Sequence, residues 1–265
     1  MTNHSVVSEE YVKLQQSFID KQEEWLNKYS DFKVTYKKDA PDYHKTLLSQ
    51  VIFRVKRDEL LACIGEMLAL LSEQAPTCKK DVERLQSLID EKIAGKWRTE
   101  IISSNSAYFE KFAAENQIAE WIPQFIAEQA VAPLLKKIAI SQKSELAKFK
   151  VKDSCPCCGE APRLATLKKD GKKNIVCPRC HYAWTIKKLV CAYCDREEHK
   201  QALIIQTKEK SSEQVQICKS CYQYTKVIDT KRLLKQVNPS LLDIQTIYLD
   251  YIAQDQIEKM EANQH

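Results

Sequence analysis

The spacing of its cysteines is the feature that most constrains how this chain can fold. Nine of the eleven cysteines lie between residues 155 and 221, and eight of these nine form CxxC pairs. A CxxC turn brings two thiolates onto one face of a metal ion, and a second turn across a β-hairpin supplies the other two. The pattern therefore predicts two four-thiolate metal sites, each built into a small β-ribbon. The four pairs are Cys155/Cys158, Cys177/Cys180, Cys191/Cys194 and Cys218/Cys221.

The gaps between the pairs favour one way of combining them. Eighteen residues separate the first pair from the second, ten the second from the third, and twenty-three the third from the fourth. Sequential pairing, first with second and third with fourth, closes the shorter loops, but its entropic advantage over alternate pairing is small. Spacing therefore leaves the pairing open. It also leaves the metal open, because four tetrahedral thiolates suit both iron and zinc.

The three remaining cysteines are predicted not to bind metal. Cys157 lies inside the first CxxC turn, where it cannot reach the same ion comfortably, although a redox role for it stays open. Cys63 and Cys78 are expected to be packed thiols, since free cysteine behaves as a small buried hydrophobe. Gly159 follows the first pair, at a position where such a turn often needs a positive φ.

Other uses of individual pairs fit the sequence less well. Residues 177–181 read CPRCH, the haem-attachment pattern, but covalent haem would leave the first pair without a partner. A thioredoxin-type redox pair needs a βαβ setting, whereas these pairs lie in hairpin patterns. His181 and His199 could serve as ligands, yet eight cysteines already fill two tetrahedral sites. A closed four-thiolate site has no open coordination position, which favours a structural or electron-transfer metal over hydrolytic catalysis.

Composition and the absence of motifs disfavour several classes of function. Only four glycines occur in 265 residues, and no Walker, dinucleotide, nucleophile-elbow or HExxH motif is present. We therefore predict that the chain is not an enzyme. We see no secretory signal pattern and no apolar run of membrane-spanning length, so we expect a cytoplasmic protein without membrane insertion. The net charge of +5 is too mild to argue for nucleic acid as a partner.

The character of the chain changes near residue 150. Before it, apolar stripes at helical spacing, such as the one from Leu60 to Leu71, predict an all-α bundle. Pro123 and Pro133 predict breaks between shorter helices in the last part of this bundle. After residue 238, the spacing of Leu241, Ile244 and Tyr248 again predicts a helix.

Short β-type runs occupy the region between. Asp170-Gly171 is a hairpin turn signal between the first two of them. Trp184, Tyr222 and Tyr224 lie near the CxxC turns, where they are expected either to pack the small ribbon cores or to contact a partner. The runs are residues 164–167, 174–176, 183–186, 202–206 and 214–217.

The cysteine half resembles the formate dehydrogenase accessory protein family, FdhE. The resemblance covers residues 151–255, and Trp184, Tyr224 and Lys226, which follow the second and fourth pairs, add to its specificity. Asp195 stands where the third turn of the family often has glycine, and aspartate tolerates a positive φ better than most residues. The stretches that carry the resemblance are CPCCGEAP (155–162), IVCPRCHYAWTIKKLVCAYCD (175–195), VQICKSCYQYTKVID (215–229) and SLLDIQTIYLDYIAQ (240–254).

This resemblance implies an α+β architecture in three domains. An all-α helical N-terminal domain would occupy residues 1–150, and two rubredoxin-like (zinc-ribbon) metal-binding domains would occupy residues 151–189 and 190–265, the last ending in a C-terminal helix. All eight paired cysteines would be ligands of two metal ions, iron or zinc. The implied function is that of a cytoplasmic, chaperone-like maturation factor that binds the catalytic subunit of a respiratory formate dehydrogenase before export by the twin-arginine route.

Two other functions remain compatible with the sequence. A zinc-ribbon nucleic-acid-binding protein would carry the same cysteine spacing, and its affinity would fall steeply with salt. A rubredoxin-like electron carrier would require iron in the four-thiolate sites. Homo-oligomer formation is left open.

Overall fold

The computed structural model describes residues 7–29, 32–167, 172–197, 202–206, 212–230 and 238–262. The chain divides into two compact units. The helical unit contains Lys13–Pro41 and Leu48–Ser141, and the cysteine unit contains Met1–Val12, Asp42–Leu47 and Gln142–His265. The predicted domain bounds of 1–150, 151–189 and 190–265 stay predictions.

The helical unit is built around two long apolar helices. The buried face of helix α3 (Arg57–Gln74) carries Leu60, Ile64 and Leu71, which are at most 1% exposed. This helix packs against α5 (Glu91–Ile102) and α7 (Trp121–Ser141). Asp90 caps α5 by accepting a hydrogen bond from the amide of Ile93 at 2.7 Å. The helices up to residue 146 are α1 (Glu9–Lys28), α2 (Leu47–Gln50), α3 (Arg57–Gln74), α4 (Lys79–Leu88), α5 (Glu91–Ile102), α6 (Ser106–Glu115), α7 (Trp121–Ser141) and α8 (Lys143–Leu146).

The predicted helix breaks at Pro123 and Pro133 are wrong, because α7 runs unbroken from Trp121 to Ser141. Pro123 lies in the first turn, where the missing amide donor has no intrahelical partner to lose. Pro133 lies in the interior and removes one backbone hydrogen bond. We attribute its tolerance to the apolar side chains that α7 buries on most of its surface, among them Ile126, Leu134 and Ile138.

The helical unit also contains a two-stranded antiparallel sheet that the sequence did not predict. Strand β1 (Lys33–Tyr36) pairs with β2 (Val51–Arg54) in the register Val34 to Phe53. In β2, Val51 and Phe53 are buried while Ile52 is 52% exposed, which is the alternation of a half-buried strand. The bundle is therefore predominantly, and not wholly, helical.

One six-stranded sheet organises the cysteine unit. Its spatial order is β5-β4-β3-β8-β7-β6, so each set of three consecutive strands forms an antiparallel meander. The two meanders meet where β3 and β8 pair in parallel, with Leu164 opposite Lys226 and Thr166 opposite Ile228. The strands are β3 (Leu164–Leu167), β4 (Lys173–Val176), β5 (Ala183–Ile186), β6 (Ala202–Gln206), β7 (Glu213–Cys218) and β8 (Tyr224–Ile228).

All five predicted strand runs are present in this sheet, with bounds that differ by at most one residue at either end. The sixth strand, β8, was not predicted. The turn signal at Asp170-Gly171 lies outside the described residues.

Two C-terminal helices cover one region of the sheet. Asn238 caps α9 (Pro239–Gln245), and α10 (Ile247–Ala262) packs against β7 and β8. The predicted α+β fold is confirmed, with N-terminal helices, two four-cysteine groups and C-terminal helical structure. The core beneath these helices consists of Leu164, Val215, Ile217, Ile228, Leu242, Leu249 and Ala253.

Within the described residues, none of the helices has the length and apolar character that crossing a membrane requires.

A buried lysine joins the sheet to these C-terminal helices. Lys226, in the middle of β8, is only 1% exposed. Its ammonium group lies 2.7 Å from a carboxylate oxygen of Asp243 in α9 and 2.8 Å from one of Asp250 in α10. Arg163 also pairs with Asp243, at 3.0 Å. Because both acids face it, the charge of Lys226 can be buried, and it fixes the helices on the strand.

Replacing this lysine is expected to lower the free energy of unfolding markedly. Lys226→Met keeps much of the side-chain volume but leaves the carboxylate of Asp250 without its 2.8 Å cation. Removal of one partner from a buried ion pair typically costs about 3–5 kcal/mol. The measurement is urea denaturation, with the exposed Lys188→Met as the matched control of near-zero effect. Equal midpoints for the two variants would contradict the role given to Lys226.

Candidate metal centres

The four CxxC turns share one backbone geometry. In each, the residue after the second cysteine donates its amide hydrogen to the carbonyl of the first cysteine, at 2.9 to 3.1 Å. The first cysteine donates its own amide hydrogen to the carbonyl five residues further on, at 2.7 to 3.0 Å. The residue after the second cysteine has a positive φ in every turn: Gly159 at 82°, His181 at 60°, Asp195 at 61° and Tyr222 at 55°.

The first and second pairs come together at one point of the cysteine unit. The sulfur of Cys155 lies 3.6 Å from that of Cys180, and the sulfur of Cys158 lies 3.5 Å from that of Cys177. All four sulfur atoms lie within 4.8 Å of one another. All four residues are buried, so the group is shielded from water.

The third and fourth pairs form a second group of the same design. The sulfur of Cys191 lies 3.7 Å from that of Cys221, and the sulfur of Cys194 lies 3.8 Å from that of Cys218. These four sulfurs also lie within 4.8 Å of one another. This group is less enclosed than the first, because Cys194 and Cys221 are only partly buried.

Both groups fit a tetrahedral metal ion. With metal–sulfur bonds of about 2.3 Å, tetrahedral geometry separates the sulfurs by about 3.8 Å. The four sulfur–sulfur distances of 3.5 to 3.8 Å match that value and are far longer than a disulfide bond. All eleven cysteines lie in described parts of the chain, and each is a free thiol. The structure therefore combines the pairs sequentially, and each group could hold one metal ion.

Electrostatics within the first group oppose full ionisation of its thiols. Burial raises the pKa of the Cys155 thiol far above its usual value. Burial acts in the same direction on Cys177, but hydrogen bonds from Cys155, Cys158 and Cys180 outweigh it and hold the pKa of Cys177 well below its usual value. Ionisation of Cys177 is thus favoured, whereas ionisation of Cys155 is opposed. A divalent cation is the natural compensation that would let all four ionise together.

In the second group the pKa values of the thiols also shift in opposite directions, but the shifts are smaller. Burial raises the pKa of Cys221 to about 11. Burial also acts to raise the pKa of Cys194, but the amide of Arg196 and the thiols around it bring that pKa below its usual value. The milder shifts agree with the greater exposure of this group.

The cysteines predicted not to bind metal lie outside both groups. Cys157 is fully buried in the first CxxC turn without joining the four sulfurs beside it. Cys63 is buried in α3, where burial raises its pKa to about 12, and Cys78 is partly buried. These placements agree with packed thiols.

Histidines do not join the thiol groups in the part of the chain that the structure describes. A ring nitrogen of His181 lies 2.8 Å from the hydroxyl of Ser240, which also donates to the carbonyl of Pro178 at 2.5 Å. This arrangement ties the second CxxC turn to the start of α9. His199 lies outside the described residues.

Two of the three aromatic residues near the turns pack against small cores. Trp184 stacks on Tyr182 at 6.0 Å between ring centroids and packs against the cluster of Ala165, Ile175 and Val227. Tyr224 packs against the core beneath α9 and α10. Of the two roles expected for these residues, packing of a small core therefore applies to Trp184 and Tyr224. Tyr222 is partly buried, and its main structural feature is its positive φ.

A segment from the first fifty residues completes the surroundings of the first group. Leu47 donates its amide hydrogen to the carbonyl of Pro156 at 2.8 Å, inside the first CxxC turn. A Cβ atom added to Gly159 would lie 3.6 Å from the methyl group of Thr46. The sequence offered no signal for this contact, because more than a hundred residues separate its two sides.

Fold and site together define the class of protein: an α+β protein with N-terminal helices, two rubredoxin-like four-cysteine modules and C-terminal helical structure. No protein-family model matches the chain. A curated protein, Protein FdhE homolog of Aquifex aeolicus (strain VF5), is 30% identical to it over 193 residues, which make up 71% of this chain and 63% of that protein. The aligned part thus spans less than two thirds of the relative's length. The comparison confirms the resemblance to the FdhE family.

A solved structure supports the fold over nearly the whole chain. It is the FdhE protein from Pseudomonas aeruginosa, which is 16% identical and superimposes with a TM-score of 0.61. The match covers 93% of this chain and 85% of the other. The likeness therefore extends to the helical N-terminal region, where sequence motifs were lacking.

Proposed function

We propose that this chain is an accessory protein for the maturation of a formate dehydrogenase. In this proposal it binds the catalytic subunit in the cytoplasm, before export, in a chaperone-like manner and without catalysing a reaction itself. The observation that carries it is the pair of four-thiol groups in an FdhE-like fold, together with a relative that is named an FdhE homolog. The identity of the client comes from the family resemblance.

The eight paired cysteines are, in this proposal, the ligands of two ions of iron or zinc. When bound, each ion would supply cross-linking and charge compensation for four thiolates. The chain's own contribution is to hold the two turns of each group at tetrahedral spacing, through the four positive-φ turns and the sheet between them. Four sulfurs fill the coordination sphere of such an ion, so a structural role follows more readily than hydrolytic chemistry.

Deletion of the gene tests the accessory role directly. We expect a clean deletion strain to lose formate-dependent respiration while transcription of the dehydrogenase is unchanged, because the defect arises after synthesis. The measurement is formate oxidation by washed cells, with complementation by the wild-type chain as the control. Normal formate oxidation in the deletion strain would remove the proposal.

An electron carrier is the second candidate, and the partial exposure of Cys194 and Cys221 favours it at the second group. Exposed sulfur ligands shorten the distance over which an electron passes between the metal and a redox partner. The discriminating measurement is elemental analysis of protein purified from its host, combined with pull-down of bound proteins from the same extract. Zinc alone would exclude electron transfer, whereas iron with reversible visible absorbance would support it.

A further inference from the structure

The helical unit contains a positively charged pocket that the proposed function does not use. It has a volume of about 510 Å³ and lies between strand β2, the first turn of α3 and the first two turns of α5. Four cationic side chains line it, against the single carboxylate of Glu91. The cations are Arg54, Arg57, Lys92 and Arg98.

These cations are not neutralised by the protein. Throughout the described ranges, none of the three arginines forms a hydrogen bond or ion pair through its side chain. Arg98 is partly buried, and its guanidinium lies 5.5 Å from the centre of the Phe53 ring. Desolvation, and then repulsion from Arg57, lower the pKa of Arg98. An uncompensated, partly desolvated guanidinium beside a second one is costly unless an anion joins them.

The apolar wall and the volume of the pocket further restrict which ligand it can bind. Ile52, Phe53 and Leu60 give it an apolar wall, and Ile52 leaves half of its surface exposed there. A volume of about 510 Å³ falls within the roughly 300–1,000 Å³ of small-molecule sites and exceeds what an inorganic anion fills. The occupant should therefore carry an organic portion beside its charge.

We propose that this pocket binds a small organic phosphate, with the phosphate group on Arg57 and Arg98 and the organic portion against Ile52 and Phe53. Each planar guanidinium presents parallel N–H donors that match phosphate oxygens in pairs. A phosphate ester carries close to two negative charges at neutral pH, which compensates two guanidiniums where a single carboxylate would compensate one. The site lies wholly in the helical unit and is independent of the accessory role.

Calorimetric titration with phenyl phosphate and with inorganic phosphate tests the site on the full, metal-loaded chain. We expect measurable binding of phenyl phosphate and weaker binding of inorganic phosphate, because only the ester reaches the apolar wall. Arg57→Gln and Arg98→Gln should each weaken phenyl phosphate binding at least tenfold, as expected for loss of a charge-assisted contact. Arg84→Gln, an exposed arginine of α4 that does not line the pocket, is the matched control and should stay within twofold.

A steric variant separates pocket occupancy from general charge. Gly95 lines the pocket, and a Cβ atom added to it meets no other atom within 4 Å. Gly95→Leu leaves every charge in place, fills this space and should abolish binding. Circular dichroism checks that each variant is folded, and exposed Arg57 provides the decisive variant if Arg98→Gln does not fold. Failure of phenyl phosphate to bind at millimolar concentration, or equal weakening by Arg84→Gln, would overturn the proposal.

Discussion

Removal of the two proposed metal ions is expected to unfold the cysteine unit while the helical unit stays folded. A structural zinc site contributes an apparent free energy of about 10–16 kcal/mol, and a small ribbon has little apolar burial to replace it. Without ions, the four buried thiols of the first group lose the cation that would balance their charge. The helical unit keeps its own core, built on residues such as Leu60, Leu71 and Ile138.

Tryptophan fluorescence can follow the two units separately. Trp184 is the one tryptophan after residue 141 in the sequence, and it packs against Ala165, Ile175 and Val227 in the sheet of the cysteine unit. The difference in emission between the wild-type chain and a Trp184→Phe variant therefore reports the cysteine unit alone. After chelation, we expect this difference spectrum to shift to that of a solvated indole, while far-ultraviolet circular dichroism keeps most of its helical signal. A chelated chain that contains no metal and keeps the original Trp184 emission would show that the sheet folds without ions.

The single sheet also predicts that the two groups depend on each other. Strands β3 and β8 carry the only pairing between the meanders within the described residues, and β8 lies between β3 and β7. Loss of one group would disorder one side of that pairing. We therefore expect the two ions to leave with positive cooperativity during a chelator titration. The measurement is the amount of metal released at each chelator concentration. Two independent, equal release steps would contradict this coupling.

Local signals in the sequence were sufficient for most of the cysteine unit. CxxC spacing predicted the two thiol groups, and apolar runs bounded by turns predicted five of the six strands. The sixth, β8, carries Lys226 in its middle, and a buried lysine contradicts a strand signal. The charge of that lysine is compensated by Asp243 and Asp250, which helices later in the chain contribute.

Features that depend on distant contacts could not be predicted. Strands β1 and β2 have four residues each, and neither is stable without the other. The contact of Leu47 with Pro156 likewise joins segments that share no sequence signal. Positive φ was expected at Gly159 and tolerated at Asp195, but His181 and Tyr222 adopt it through the same pair of backbone hydrogen bonds. A bound metal ion would help to stabilise this backbone conformation in the three turns where the residue is not glycine.

Comparing Cys177→Ala with Cys157→Ala separates ligands from neighbouring thiols. Both cysteines are buried in the cysteine unit, so the two substitutions remove the same atom from similar surroundings. Only Cys177 belongs to a four-sulfur group. Cys177→Ala is expected to reduce the metal content from two ions to one per chain. It should lower the free energy of unfolding by on the order of 5–10 kcal/mol, a large part of the contribution of one site.

Cys157→Ala should keep both ions and lose on the order of 1 kcal/mol, the usual effect of a small truncation in a core. The measurements are elemental analysis of the purified variants and urea denaturation of the soluble fraction. Cys218→Ala extends the comparison to the second group and should leave one ion, in the first group. If Cys157→Ala lost an ion while Cys177→Ala kept two, Cys157 would replace Cys177 as the fourth ligand. The tetrahedral arrangement of Cys155, Cys158, Cys177 and Cys180 would then have to be abandoned, because its 3.5 Å contact between Cys158 and Cys177 would serve no ion.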